Sequence, residues 1–175
     1  KFPVIVLLFL FSFFGLVPSA LAQEQDSDSE NSVSTQKDKA TLSISGTLYV
    51  DGLRLSGVNL IVKDNGQVVA ESQSDDNGKF EIELKLDKQF MLSFTLDEYA
   101  TKLVEIDTRN VPADNRKYNF YYKGWKVDMI PLDLGVDVSV LKKPVALVVY
   151  NPTEEGFSTD KKYERSVRPA LTKLA

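Results

Sequence analysis

Ser74-Asp75-Asp76-Asn77-Gly78-Lys79-Phe80-Glu81-Ile82-Glu83-Leu84-Lys85-Leu86 is the stretch on which the fold turns. Its first half is turn chemistry. Asp75 can accept hydrogen bonds from backbone N–H groups two or more residues on, and Gly78 tolerates the positive φ of a tight reversal. Its second half has a period of two. Phe80, Ile82, Leu84 and Leu86 alternate with Lys79, Glu81, Glu83 and Lys85, which predicts a strand with one face buried and one in water.

The same period runs outward in both directions. Upstream, Leu42, Ile44, Leu48 and Val50 alternate with small polar residues around Gly46, and Val58, Leu60 and Val62 form a second alternating run. Asp64-Asn65-Gly66 then predicts a hairpin with a type I′ turn, because Asn-Gly accepts two positive φ angles. Val68 and Ala70 begin the return strand. Downstream, Phe90, Leu92, Phe94 and Leu96 form a strand, and Leu103 to Ile106 a weaker one. Tyr118, Phe120 and Tyr122 precede Gly124, whereas Trp125, Val127 and Met129 follow it. The inward phase shifts by one residue there, so Gly124 reads as a β-bulge. Short strands joined by turns, each hiding one face, predict two antiparallel sheets packed face to face.

Composition narrows the chemistry. The chain has 175 residues, no cysteine and no histidine. Disulfides, thiol catalysis, Cys-ligated zinc, His-ligated metal and His acid–base catalysis are therefore impossible within it. The reading is of a protein that is not an enzyme and has no cofactor. Net charge is −4, and since residues 1–22 carry only Lys1, the remainder carries −5. Nucleic acid is not an expected partner, because phosphate binding needs a basic face.

Three motifs give a resemblance. Ser45-Gly46-Thr47, Leu55-Ser56-Gly57-Val58-Asn59-Leu60 and Ser74-Asp75-Asp76-Asn77-Gly78-Lys79-Phe80 resemble the hallmarks of carboxypeptidase regulatory-like domains, carried here by Gly46, Gly57, Val58, Asp75, Gly78 and Phe80. The resemblance covers about residues 42–108. It implies an all-β, seven-stranded antiparallel Greek-key sandwich, transthyretin-like (prealbumin-like), over 41–132, with a C-terminal strand-plus-helix extension over 133–175. It does not imply peptidase activity, which in such proteins belongs to a separate zinc domain. Where the family has Gly-Tyr, this chain has Glu98-Tyr99.

Export is predicted from the amino-terminal segment. Lys1 supplies a basic start, Phe2 to Val17 is almost wholly apolar, and Ala20-Leu21-Ala22 has the small-x-small pattern of a signal-peptidase site. Cleavage is expected after Ala22, leaving no transmembrane span and a periplasmic or cell-surface protein. No Met precedes Lys1, so the true start is expected upstream. Residues 23–40 read as a disordered acidic linker. Its Glu24, Asp26, Asp28 and Glu30 lack the Asp-x-Asp-x-Asp-Gly spacing of a calcium loop.

After Pro131, Val136, Val138 and Val140 alternate, and Val145-Ala146-Leu147-Val148-Val149-Tyr150 is an apolar run bounded by Asn151-Pro152. A strand is expected at about 144–150. It could be covered within this domain's own sheet, or it could form an edge that pairs with another protein through Val145, Leu147, Val149 and Tyr150. A helix is expected at about 160–174, capped by Thr159 or Asp160, with Tyr163, Val167, Leu171 and Leu174 on one face and Pro169 kinking or splitting it.

The remaining candidates are weaker. Asp75/Asp76, Glu81/Glu83 and Glu154/Glu155 are carboxylate pairs without a cleft between them. Tyr118, Phe120, Tyr121, Tyr122 and Trp125 could stack on a sugar, although alternation turns about half of them inward. Lys142, Lys143, Lys161, Lys162, Arg165 and Arg168 make the late region basic. The expectation is a non-catalytic exported module that binds another envelope protein, with carbohydrate binding as the second reading and a carboxylate-only enzyme as the third.

Overall fold

The computed structural model describes residues 40–132 and 137–174. The signal with its Ala22 site and the linker at 23–39 lie outside the described residues. Ten strands, β1 (Thr41–Val50), β2 (Leu53–Arg54), β3 (Asn59–Asp64), β4 (Gln67–Gln73), β5 (Lys79–Lys85), β6 (Gln89–Thr95), β7 (Lys102–Asp107), β8 (Phe120–Asp128), β9 (Ala146–Asn151) and β10 (Gly156–Thr159), precede one helix, α1 (Lys161–Leu171). Short 3-10 turns occupy Ala113–Asn115, Ser139–Lys142 and Thr172–Leu174.

The strands form a β-sandwich. The smaller sheet is built around β1, which pairs with β5 along Thr41–Thr47 and with β8 along Leu42–Tyr49, while β2 pairs at Tyr49 and Val50. The larger sheet has the order β10-β9-β7-β6-β3-β4. Between them, Leu42, Ile44, Leu60, Val62, Leu92, Phe94 and Ile106 are wholly inaccessible to solvent. β5 is alternately exposed and buried along its whole length, as its sequence requires.

Local turn chemistry sets these elements. Asn65 and Gly66 have φ of 49° and 82°, the two positive values of the type I′ turn between β3 and β4. Asp75 Oδ1 accepts from the N–H groups of Asn77 at 2.9 Å and Lys79 at 2.8 Å. Gly78 has φ 69°, and a Cβ there would lie 2.8 Å from the Leu48 carbonyl oxygen, so this position needs glycine for both conformation and space. Ser74 is buried beside the turn. Its hydroxyl accepts from Val58 N–H at 3.0 Å and reaches the Leu55 carbonyl at 3.2 Å, tying the entry of β3 to the end of β4. Glu98, where the resembled family has glycine, has φ 68°: the backbone keeps the left-handed turn and the side chain points to solvent.

The phase shift in β8 is a bulge. Ile44 pairs with Tyr122 and Gly46 with Trp125, so β8 carries one extra residue at Lys123–Gly124, with Gly124 at φ 73°. Phe120 before it and Val127 after it both reach the core.

Several expectations need correction. The sheets are mixed, not wholly antiparallel: β1 runs parallel to β8, and β7 parallel to β9. Each parallel pair is separated in sequence by strands of the other sheet, which gives the chain the length a parallel return needs. After residue 136 the covered-strand reading holds, because β9 joins the larger sheet, and β10 adds a strand the sequence did not predict. Of the valine alternation at 136–140, Ser139 to Lys142 forms a 3-10 turn, not a strand. Pro169 does not break α1, which continues to Leu171 and tightens into 3-10 only at Thr172. Of the two cap candidates, Asp160 is the one that caps α1, as expected, accepting from Lys162 and Tyr163 N–H at 2.8 Å each.

A second polar knot closes the end of β7. Thr108 is fully buried, and its hydroxyl lies 2.9 Å from the Lys88 carbonyl and accepts from Lys88 N–H at 3.0 Å. Beside it, Asp107 accepts from Arg109 through its N–H, Nε and Nη2 at 2.7–3.0 Å. The Arg109 guanidinium holds the Asp107 carboxyl below the usual aspartate range. A lowered native value stabilises the fold above the unfolded aspartate range, near about pH 4, and this contribution is lost as pH falls through the lowered value. Urea midpoints at about pH 6 and pH 3 should therefore differ less in Asp107→Asn than in the parent. An unchanged difference would remove Asp107 from the acid sensitivity of the fold.

Candidate interaction surfaces

The apolar run proposed as a partner-binding edge is not an edge. β9 pairs with β7 on one side, from Val104–Ala146 to Asp107–Val149, and with β10 on the other, from Val148–Thr159 to Asn151–Gly156. Val148 and Tyr150 are buried, whereas Val145, Leu147 and Val149 are half-buried. Tyr150 packs edge-to-face with Phe120 and Phe157, and its hydroxyl accepts from Asn115 Nδ2 at 2.8 Å. The β10 partner was missed because Gly156-Phe157-Ser158-Thr159 is too short and polar to show a period.

The free edges lie elsewhere. β4 ends the larger sheet and pairs only with β3, and β5 pairs only with β1, among the described residues. These two strands neighbour each other across one flank of the sandwich. Six of the seven β4 residues are exposed, Val68 at 50% and Val69 at 52%. The β3–β4 register slips between Val62/Ala70 and Lys63/Val68, leaving Val69 as the extra residue of a bulge. Val69 faces a groove of about 300 Å³ whose floor is Ala70, Leu84 and Phe90 and whose rim carries Asp64 and Lys88, paired at 2.6 Å. The opposite edge of this sheet, β10, has only four residues and lies against β8.

The aromatic residues of the β8 region do not share a face. Phe120 is in the core. Trp125 is half-buried, with its ring 5.8 Å from Phe94 and 6.3 Å from Phe80, both edge-to-face. Tyr122 is half-buried beside it, and burial pushes its phenol up. Only Tyr118 and Tyr121 are exposed, and each has a lysine over its ring, Lys117 and Lys123 respectively. The packing of Trp125 on the core counts against a sugar-stacking platform.

The carboxylate pairs also stay apart. Asp75 is committed to its turn, Glu81 and Glu83 are exposed on β5, and Glu154 and Glu155 lie in the β9–β10 turn. Among the described residues no three His, Cys, Asp or Glu side chains are grouped to hold a metal, and no helix is long and apolar enough to cross a membrane. Lys102 is the one half-buried ammonium with a clear perturbation: burial lowers its pKa against the pull of Asp128, whose carbonyl it contacts.

No family model matches the chain, and no curated protein matches it. Among solved structures it is similar to a 3-chlorocatechol 1,2-dioxygenase from Rhodococcus opacus, at 11% identity and a TM-score of 0.38, covering 54% of this chain and 62% of that one. A DUF3823 family protein from Parabacteroides merdae is similar at 12% identity and a TM-score of 0.38, covering 54% and 48%. A shaft pilin from Lactobacillus rhamnosus GG is similar at 12% identity and a TM-score of 0.35, covering 54% and 50%. The chain thus spans between about half and three-fifths of the length of these structures.

Proposed function

We propose that this chain is a non-catalytic exported module that binds another cell-envelope protein by accepting an extended strand at β4. The observation that carries this is the free edge of β4: seven residues long, exposed along its length, with two half-exposed valines and an apolar groove beside it. Unpaired N–H and C=O groups on such an edge pair readily with a partner strand, and alternate side chains of that strand find pockets. The groove floor of Leu84 and Phe90 suits one apolar side chain of the partner.

We read the sandwich itself as a carboxypeptidase regulatory-like, transthyretin-like domain. Gly46, Gly57, Val58, Asp75, Gly78 and Phe80 support this. Without β2, β9 and β10, seven strands remain, in the orders β5-β1-β8 and β7-β6-β3-β4, which is the strand count the resemblance implies. The lack of His and Cys supports a non-catalytic role, and the signal-like amino terminus supports export.

A photoreactive phenylalanine analogue placed at Val68 or Glu71 and irradiated in intact envelopes should give one adduct of defined mass. The same analogue at Ser43, on the other sheet, should give none. Val69→Lys should abolish the adduct while leaving the fold intact. Recovery of the protein only as monomer, or equal crosslinking from Ser43, would overturn the reading.

A further inference from the structure

α1 closes against the outside of the larger sheet without sealing it. Asp160 caps the first turn, and the Tyr163 hydroxyl donates to the Pro144 carbonyl at 2.7 Å, pinning this end of the helix to the chain that enters β9. Farther along, the helix stands off the 3-10 turn at Ser139–Lys142 and leaves a crevice of about 400 Å³. Its walls include Val140, Val145, Val167, Ala170 and Leu171, and among the described residues Lys143 is the one charged residue that lines it. No residue of α1 is buried, although Tyr163, Val167, Ala170 and Leu171 form one apolar stripe. The stripe is half-exposed because the crevice runs beside it.

Three properties define what would fit. The volume falls in the ~300–1,000 Å³ range of small-molecule pockets, which are apolar with few polar groups. The walls offer an alkyl chain removal from water, worth about 25 cal/mol per Å². The flanking segments are net positive: Lys142 and Lys143 stand against Asp137, which accepts from Ser139 N–H at 2.9 Å, and residues 161–174 carry Lys161, Lys162, Arg165, Arg168 and Lys173 against Glu164, in a chain of net charge −4. Among the described residues no carboxylate lines the crevice.

We propose that this crevice binds a single-chain amphiphile with an anionic head, of the class of long-chain carboxylates. The alkyl chain lies along Val140, Val145, Val167 and Leu171, and the carboxylate pairs with Lys143. The site is independent of β4 and would stand if that edge had no partner.

Calorimetric titration of the full chain with dodecanoate, below its micellar concentration, should show one site per chain. Dodecyltrimethylammonium, with the same tail and the opposite head, should bind about tenfold or more weakly. Lys143→Glu should weaken dodecanoate by a similar factor without shifting Tm, and Ala170→Trp should fill the crevice and abolish binding. In the unaltered protein, a nitroxide-labelled fatty acid should broaden the methyl NMR signals of Val167 and Leu171 first. Absence of binding, equal affinity for the two head groups, or broadening centred elsewhere would overturn the proposal.

Discussion

Replacing Gly46 with valine will destabilise the sandwich by about 3 kcal/mol or more, a large fraction of the stability of a small domain. Gly46 lies mid-way along β1, opposite Phe80 of β5 and Trp125 of β8. Its position has the inward phase of Ile44 and Leu48. A Cβ there would press on the Trp125 carbonyl and fall 2.7 Å from the Phe80 ring. The carbonyl is backbone in a paired strand, and the ring is held between Phe94 and Trp125, so neither can give way cheaply. Gly124→Asn provides the contrast. Nothing lies within 4 Å of a Cβ there and φ is 73°, a conformation asparagine adopts, so the cost should stay within about 1–2 kcal/mol. Urea unfolding of both variants checks the pair. Equal midpoints would mean that the sheets have more room at Gly46 than this packing allows.

Phe94→Ala should cost about 3–5 kcal/mol, the range for truncating a buried aromatic residue. Phe94 is wholly inaccessible, and its ring meets Phe80 at 5.5 Å and Trp125 at 5.8 Å. Removing it leaves a cavity between the two sheets and deprives Trp125 of one of its aromatic neighbours. The measurement is the urea midpoint together with the emission of Trp125, the only tryptophan in the chain, which should shift to longer wavelength. A midpoint loss without a change in emission would separate Trp125 from this cluster and reopen the sugar-stacking reading of β8.

The aromatic cluster shows how far the sequence could be read. Phe80 and Phe94 were legible as core because each sits in a strict alternation. The position of Trp125 was half legible: Gly124 signalled a re-phased strand, and re-phasing turns Trp125 inward. What alternation could not show was the neighbour. Trp125 meets Phe80 and Phe94 because β8 lies beside β1 on one sheet and β6 lies opposite on the other. The knots at Ser74 and Thr108 were invisible, since a serine or threonine in a turn looks the same whether its hydroxyl is buried or wet.

The apolar run at Val145 to Tyr150 left two readings open, and the pairing of β9 with both β7 and β10 decides for the covered strand. Val145 to Tyr150 is more apolar than Gln67 to Gln73, which suits a covered strand and an edge with something to bind equally well. Apolarity reports burial, however, and a strand flanked on both sides within its own sheet is apolar because it is central. The exposed edge is the more polar β4, whose free groups are backbone and leave no mark on composition.

By itself the sequence determined the β class, the turns at Asn65-Gly66 and Asp75 to Gly78, the inward faces of β1, β3, β5 and β6, the bulge at Gly124 and the lack of His- or Cys-based chemistry within these 175 residues, whereas on β4 the alternating Val68 stays exposed. These depend on side-chain period, on φ preference and on which functional groups exist, all of which are local. Only the tertiary structure decided strand order, the parallel pairings of β1 with β8 and β7 with β9, the completion of the larger sheet by β10, and the lack of a second partner for β4 among the described residues. Those depend on which backbone groups meet across dozens of residues, and every residue type carries the same backbone acceptor and every one but proline the same donor.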